Sequence, residues 1–94
     1  MLTTKQKVKL RSLAMELKPI FQVGKDGVNP NMIKSINDAL EAHELIKVSV
    51  LKNCISDIKE VAFDIASATN SNIIQIIGRT VVFYRKSKKQ LIEL

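Results

Sequence analysis

The chain has one cysteine, one histidine, one tyrosine and no tryptophan in 94 residues. A lone cysteine, Cys54, has no partner for an internal disulfide, which fits a reducing cytoplasm as the expected location. No apolar run approaches the ~20 residues that a membrane helix needs, so no membrane partner is expected. The first residues, Met1 to Arg11, are polar and basic with no apolar stretch behind them, and no signal peptide is expected there. Histidine and cysteine never recur at metal-ligand spacing, so no metal is expected. The hydroxyl residues offer no GxSxG nucleophile elbow. His43 falls at the end of a predicted helix, where a cation complements the dipole, and reads as structural. Cys54 falls in a turn with no second thiol and reads as unreactive. No catalytic residue, cofactor or small-molecule substrate is expected. With one tyrosine and three phenylalanines, base stacking is not the main theme of any nucleic-acid binding.

What is present is positive charge, unevenly placed. Residues 1–27 carry six basic and two acidic groups, residues 28–71 four and six, and residues 72–94 five and one. The net charge is +6, with both ends basic and the middle mildly acidic. If the fold joins the two ends, they form one positive face, the footprint of a polyanion binder. The plainer reading is lysine placed for solubility.

The most informative stretch is Gly24-Lys25-Asp26-Gly27. It follows a short apolar run, Ile20 to Val23, and precedes Asn29-Pro30, a strong helix-start signal. Glycines let a backbone approach a phosphate, Lys25 adds a mobile cation, and a helix N-terminus favours anions. Asp26 opposes this. An ordinary surface turn is the alternative. The stretch lacks the length and the GK[ST] ending of a P-loop.

Along the chain, Thr3 and Gln6 have capping-box spacing, and a helix is expected from Thr4 to Leu17. Leu10, Leu13, Ala14 and Leu17 form its expected buried stripe, flanked by Lys7, Arg11 and Lys18. Pro19 ends it. Ile20 to Val23 is a strand. A second helix runs from Pro30 to about His43, burying Met32, Ile33, Ile36, Ala39 and Leu40. Leu45 to Leu51 alternates as a strand, and with the first strand suggests a parallel pair. A third helix is expected with Ser56 as cap, Ile58, Val61, Ala62 and Ile65 inward, and Asn70 as a left-handed stop. Ile73–Ile77 and Thr80–Arg85 are β-rich, and Gly78-Arg79 fits a type II′ hairpin. Phe83 and Tyr84 fall on opposite faces, one in the core and one free to stack. Arg79, Arg85, Lys86 and Lys88 form a second basic patch.

The expected fold is a single α/β domain over residues 1–94, in the order α-β-α-β-α-β-β. It is a two-layer sandwich with helices packed on a four-stranded mixed sheet. Residues 86–94 form a basic and then apolar tail.

These residues resemble the stand-alone bacterial CRM-domain proteins, the YhbY-like family, from about Leu2 to Arg85. The resemblance is carried by Leu2-Thr3 with Gln6, Leu10-Arg11, Ala14, Lys18-Pro19 and Val23-Gly24-Lys25-Asp26-Gly27. It continues in Ala39-Leu40-Glu41, His43 to Val48, Ile77-Gly78-Arg79 and Tyr84-Arg85. Phe83 and Asn70 are mild departures, at positions where the family often has leucine and glycine. The resemblance implies a fold similar to the C-terminal domain of translation initiation factor three. It also implies a GxxG loop like the backbone-contacting loop of KH domains. Bacterial members are associated with precursors of the large ribosomal subunit, and plant relatives with intron splicing. With one domain, the chain resembles the bacterial kind.

The expectation is therefore a non-catalytic protein that binds ribosomal RNA precursor and assists large-subunit assembly, with ribosomal proteins as further partners. Its expected RNA-binding residues are Gly24, Lys25, Asp26, Gly27, Lys7, Arg11, Lys18, Arg79, Arg85, Lys86 and Lys88. The alternative is an adaptor that docks on ribosomal proteins or a translation factor.

Overall fold

The computed structural model describes residues 2–94. Helix α1 spans Thr4–Ala14, strand β1 Phe21–Val23, helix α2 Pro30–His43 and strand β2 Leu45–Val50. Helix α3 spans Ile58–Thr69, followed by β3 Asn72–Ile77 and β4 Thr80–Tyr84. The element order, the α/β class and the four-stranded mixed sheet are as expected.

Local chemistry sets the helix starts. Thr3 Oγ1 accepts from the Gln6 N–H at 3.1 Å, and Gln6 Oε1 accepts from the Thr3 N–H at 2.9 Å. Both halves of the capping box are thus closed. Asn29 Oδ1 accepts from the Met32 N–H at 2.9 Å, with Pro30 in the first turn behind it. Asn29→Ala is expected to cost about 1 kcal/mol, read as a lower midpoint in urea unfolding. The third helix departs from expectation. Asp57, not Ser56, takes the N-cap position, without a side-chain cap bond. Asn70 does stop it in the left-handed region, at φ 55°.

Helix α1 is shorter than the sequence suggests. After Ala14 the backbone tightens into turn bonds, Glu16 N–H to Leu13 C=O and Leu17 N–H to Ala14 C=O. Lys18 precedes a proline and avoids helical geometry, so the helix unwinds a turn early. The buried stripe narrows to Leu10 and Ala14, while Leu13 and Leu17 are exposed.

The sheet order is β1-β2-β4-β3. Strand β1 runs parallel to the second half of β2, Phe21 facing Val48 and Val23 facing Val50. Strand β4 runs antiparallel to both neighbours. The β3–β4 hairpin closes through Gly78-Arg79 with Gly78 at φ 56°, and Ile77 pairs with Thr80. An irregularity between Ile73 and Gln75 shifts the register of β3.

The expectation that helices cover one sheet face holds for α2 and α3. Helix α1 packs on the other face. One core joins Ile36 and Leu40 of α2 and Val61, Ala62 and Ile65 of α3 to Ile46, Val48, Val81 and Phe83. The second joins Leu10 and Ala14 to Leu45, Ile74, Val82 and Tyr84, with Leu2 and Ile92 against it. Along β4, Val81 and Phe83 face one core while Val82 and Tyr84 face the other, as a period of two requires. Because Val81 to Tyr84 are all apolar or aromatic and buried, the strand needs cover on both sides. Both Phe83 and Tyr84 are buried, so no aromatic side chain of this pair is left to stack on a base.

Candidate nucleic-acid interface

Residues Gly24 to Gly27 close a turn in which the Gly27 N–H donates to the Gly24 carbonyl at 3.0 Å. Lys25 and Asp26 occupy its exposed tip. Gly27 sits at φ 69°, where a side chain is strained although nothing lies within 4 Å of a Cβ there. Gly24 differs. A Cβ added to it meets Leu51 Cδ1 at 3.7 Å and Asn53 Oδ1 at 4.0 Å, ordinary contacts.

Strand pairing brings two further loops beside this turn. Because β1 and β2 are parallel, their C-terminal ends lie together, and β4 begins at the same end. Leu51 donates its N–H to the Val23 carbonyl at 2.9 Å, and Val50 donates to the Arg79 carbonyl at 2.7 Å. The glycine turn, the segment after β2 and the hairpin turn therefore share one end of the sheet, across ~10 Å of strand spacing. The N-termini of α2 and α3 open at this end too, since each helix follows one of these strands. Lys25, Lys52 and Arg79 are exposed here. Among the described residues none of the three has a carboxylate within 4 Å. Asp26 is likewise exposed and unpaired.

Lys52 and Asn53 carry no motif and follow a strand by one or two residues. Sequence reasoning passed over them. The only available signal was the expected parallel pairing, which puts the residue after β2 next to the residue after β1.

The other expected residues lie elsewhere. Lys7 and Arg11 are exposed on α1. Lys18 precedes β1, at the opposite end of the sheet from Lys25. Lys86 and Lys88 are exposed after β4, at that same far end. Arg85 is a correction. Its Nη1 donates to Asn37 Oδ1 at 2.6 Å and to the Thr69 carbonyl at 2.8 Å. Its Nη2 donates to the Asn37 carbonyl at 3.1 Å and pairs with Glu41 Oε2 at 3.4 Å. With its side chain 22% exposed, Arg85 ties α2 to the end of α3 and has little left to offer a phosphate.

The two chain ends do meet. Leu2 and Ile92 pack against one core, and Lys9 donates to the Glu93 carbonyl. A buried carboxylate organises the tail. Glu44 Oε2 accepts from the Ser87 N–H at 2.6 Å and the Ser87 hydroxyl at 2.7 Å. Its Oε1 accepts from the Ile92 N–H at 2.7 Å. Burial pushes the Glu44 carboxyl upward, but bonds from the Ser87 hydroxyl and the N–H groups of Ser87, Ile92 and Leu91 outweigh it. The net result lies below the ordinary value. Burial, and then the Glu44 charge, push the Tyr84 phenol upward.

Comparison with known proteins places this geometry in context. Residues 2–85 match the model of the CRS1 / YhbY (CRM) domain. The chain belongs to that family. It is 58% identical over 89 residues to the Probable RNA-binding protein YqeI of Bacillus subtilis (strain 168), covering 95% of this chain and 93% of that one. It is 36% identical over 94 residues to a protein of Haemophilus influenzae named RNA-binding protein, covering 99% and 94%. A Staphylococcus aureus protein, SAV1595, whose solution structure is known and whose name marks it as a candidate RNA-binding protein, matches the CRM chain with a TM-score of 0.79. It shares 57% identity, covering 94% and 92%.

Among the described residues of this CRM chain, no helix is long and apolar enough to cross a membrane.

Proposed function

We propose that this CRM-domain chain is a non-catalytic RNA-binding protein of the cytoplasm. It binds ribosomal RNA precursor and assists assembly of the large ribosomal subunit. The observation that carries the reading is the convergence of Gly24–Gly27, Lys52 and Arg79 at one end of the sheet, in a chain whose relatives are named RNA-binding proteins. The glycine turn offers backbone N–H groups, and the three unpaired cations offer charge without a base-reading surface. Such a site grips the sugar-phosphate backbone and favours structured RNA. Lys7 and Arg11 on α1, and Lys18, Lys86 and Lys88 at the far end, widen the positive field.

Titration of ribosomal RNA at two salt concentrations tests the reading. Lys25→Ala is expected to weaken binding across sequences and to lower the slope of log affinity against log salt by about one. Gly27→Val is expected to weaken it through backbone strain in the turn. Gly24→Ala, which meets only ordinary contacts, is expected to keep the fold. Affinity indifferent to salt and to both Lys25→Ala and Gly27→Val sinks the loop reading.

A further inference from the structure

At the end of the sheet opposite the three loops lies an open groove of about 480 Å³, within the usual range for ligand pockets. It exists because two elements stop short. Strand β1 pairs with Val48–Val50, and the Ile20 N–H donates to the Lys47 carbonyl at 3.1 Å, so Leu45 and Ile46 lie beyond the β1 pairing. Helix α1 ends at Ala14 rather than continuing across it. The floor is aliphatic, built from Leu13, Leu17, Ile20 and Leu45, with Ile92 of the tail as one wall. Leu13 is 42%, Leu17 37% and Ile20 53% exposed, a run of large apolar side chains that the fold leaves uncovered. The rim is mainly cationic. Lys18 and Lys47 line it against a single acid, Glu16, with His43 beside them. Neither Lys18 nor Lys47 has a carboxylate within 4 Å among the described residues.

This combination selects its occupant. A nucleobase stacks on aromatic rings or guanidinium planes, and the groove has neither beyond His43 at its edge. Aliphatic anchors fit the floor, and carboxylates beside them fit the lysine rim. We infer that the groove docks a short protein segment that carries aliphatic side chains flanked by acidic residues. The site is separate from the proposed RNA-contacting loops and shares only Lys18 with the wider positive field. The chain can then hold RNA at one end of its sheet and a protein at the other.

The probe is a synthetic peptide with two leucines one helical turn apart between glutamates. Its control has lysines in place of the glutamates. Each is titrated into the isotope-labelled full chain and followed by amide chemical shifts. The acidic peptide is expected to give saturable shifts at Leu13, Leu17, Ile20 and Lys47, and none at Lys25 or Arg79. The lysine peptide is expected to bind at least ~tenfold more weakly. Lys18→Glu combined with Lys47→Glu is expected to reverse that preference, with the unperturbed part of the spectrum reporting an intact fold. Groove amides that stay still with both peptides overturn the inference. So does an equal response to both charge patterns. Groove shifts produced by an oligoribonucleotide, or by concentrating the chain alone, assign the groove to RNA or to a second copy and overturn it as well.

Discussion

Glu44→Ala is expected to release the segment after β4 and to cost about 2–4 kcal/mol, because it removes a buried carboxylate that accepts several short hydrogen bonds. The loss includes the docking of Ile92 on the α1 core, which depends on the tail staying in place. Hydrogen exchange should show it first. The Ser87 and Ile92 amides are expected to lose protection, while Val48 and Phe83 in the sheet centre keep theirs. Glu44 also sits at φ 67°, a strain that alanine keeps because it too carries a Cβ. Glu44→Gly separates strain from carboxylate. Glycine relieves that strain, on the order of 1–3 kcal/mol, but restores no acceptor. A glycine variant more stable than the parent would mean that the carboxylate contributes less than the strain that glycine relieves. Glu44→Gln is expected to recover only part of the loss, because its NH2 group faces N–H donors.

The same carboxylate gives the fold an acid limb. Its folded pKa lies below the ordinary 4.5, so in the window just under that value the unfolded chain binds more protons than the folded one. Stability is therefore full above that window and falls as pH drops through the folded pKa. The Glu44 variants are expected to flatten this limb in a plot of unfolding midpoint against pH. Tyr84 works in the opposite direction. Its folded pKa lies above 10.0, so its contribution falls as pH rises past that point.

Signals that act within a few residues were legible in the sequence. The Thr3–Gln6 box, the Asn29-Pro30 start, the Asn70 stop and the Gly78-Arg79 hairpin are each local hydrogen-bond or backbone chemistry, and each is where the spacing put it. The resemblance to the CRM family rested on short motifs such as Val23 to Gly27, His43 to Val48 and Tyr84-Arg85 and on their order, and the family match covers the same span. Signals that act across the chain were not legible. Val81 to Tyr84 reads as a buried strand, but nothing in it says which helix covers which face. Glu44 and Arg85 look like surface charges in sequence. Their partners are Ser87 and Ile92 in one case, and Asn37 and Thr69 in the other, all distant along the chain. Lys52 gained its place only through parallel pairing. The candidate site was thus half visible: the turn could be seen, and the company it keeps could not.

Removing that company together gives the sharpest test of the RNA reading. The triple variant Lys25→Ala, Lys52→Ala, Arg79→Ala deletes three exposed, unpaired cations from one end of the sheet. Its affinity for ribosomal RNA is expected to fall on the order of hundredfold near physiological salt, and the salt slope by roughly two to three. The fold should survive, because the Arg79 bond that secures the hairpin turn runs from its backbone carbonyl to Val50 and alanine keeps it. A field effect of net charge alone predicts something different. Any three lysines would then do, wherever they lie. Lys86, Lys88 and Lys89 are exposed after β4, at the far end, and provide the matched control with the same loss of three charges. If binding is built on the loops, the far-end triple weakens it several times less than the loop triple at every salt concentration. Equal losses would mean that the positive field, rather than the meeting of three loops, is what the RNA responds to. The glycine turn would then be an ordinary turn with a lysine in it.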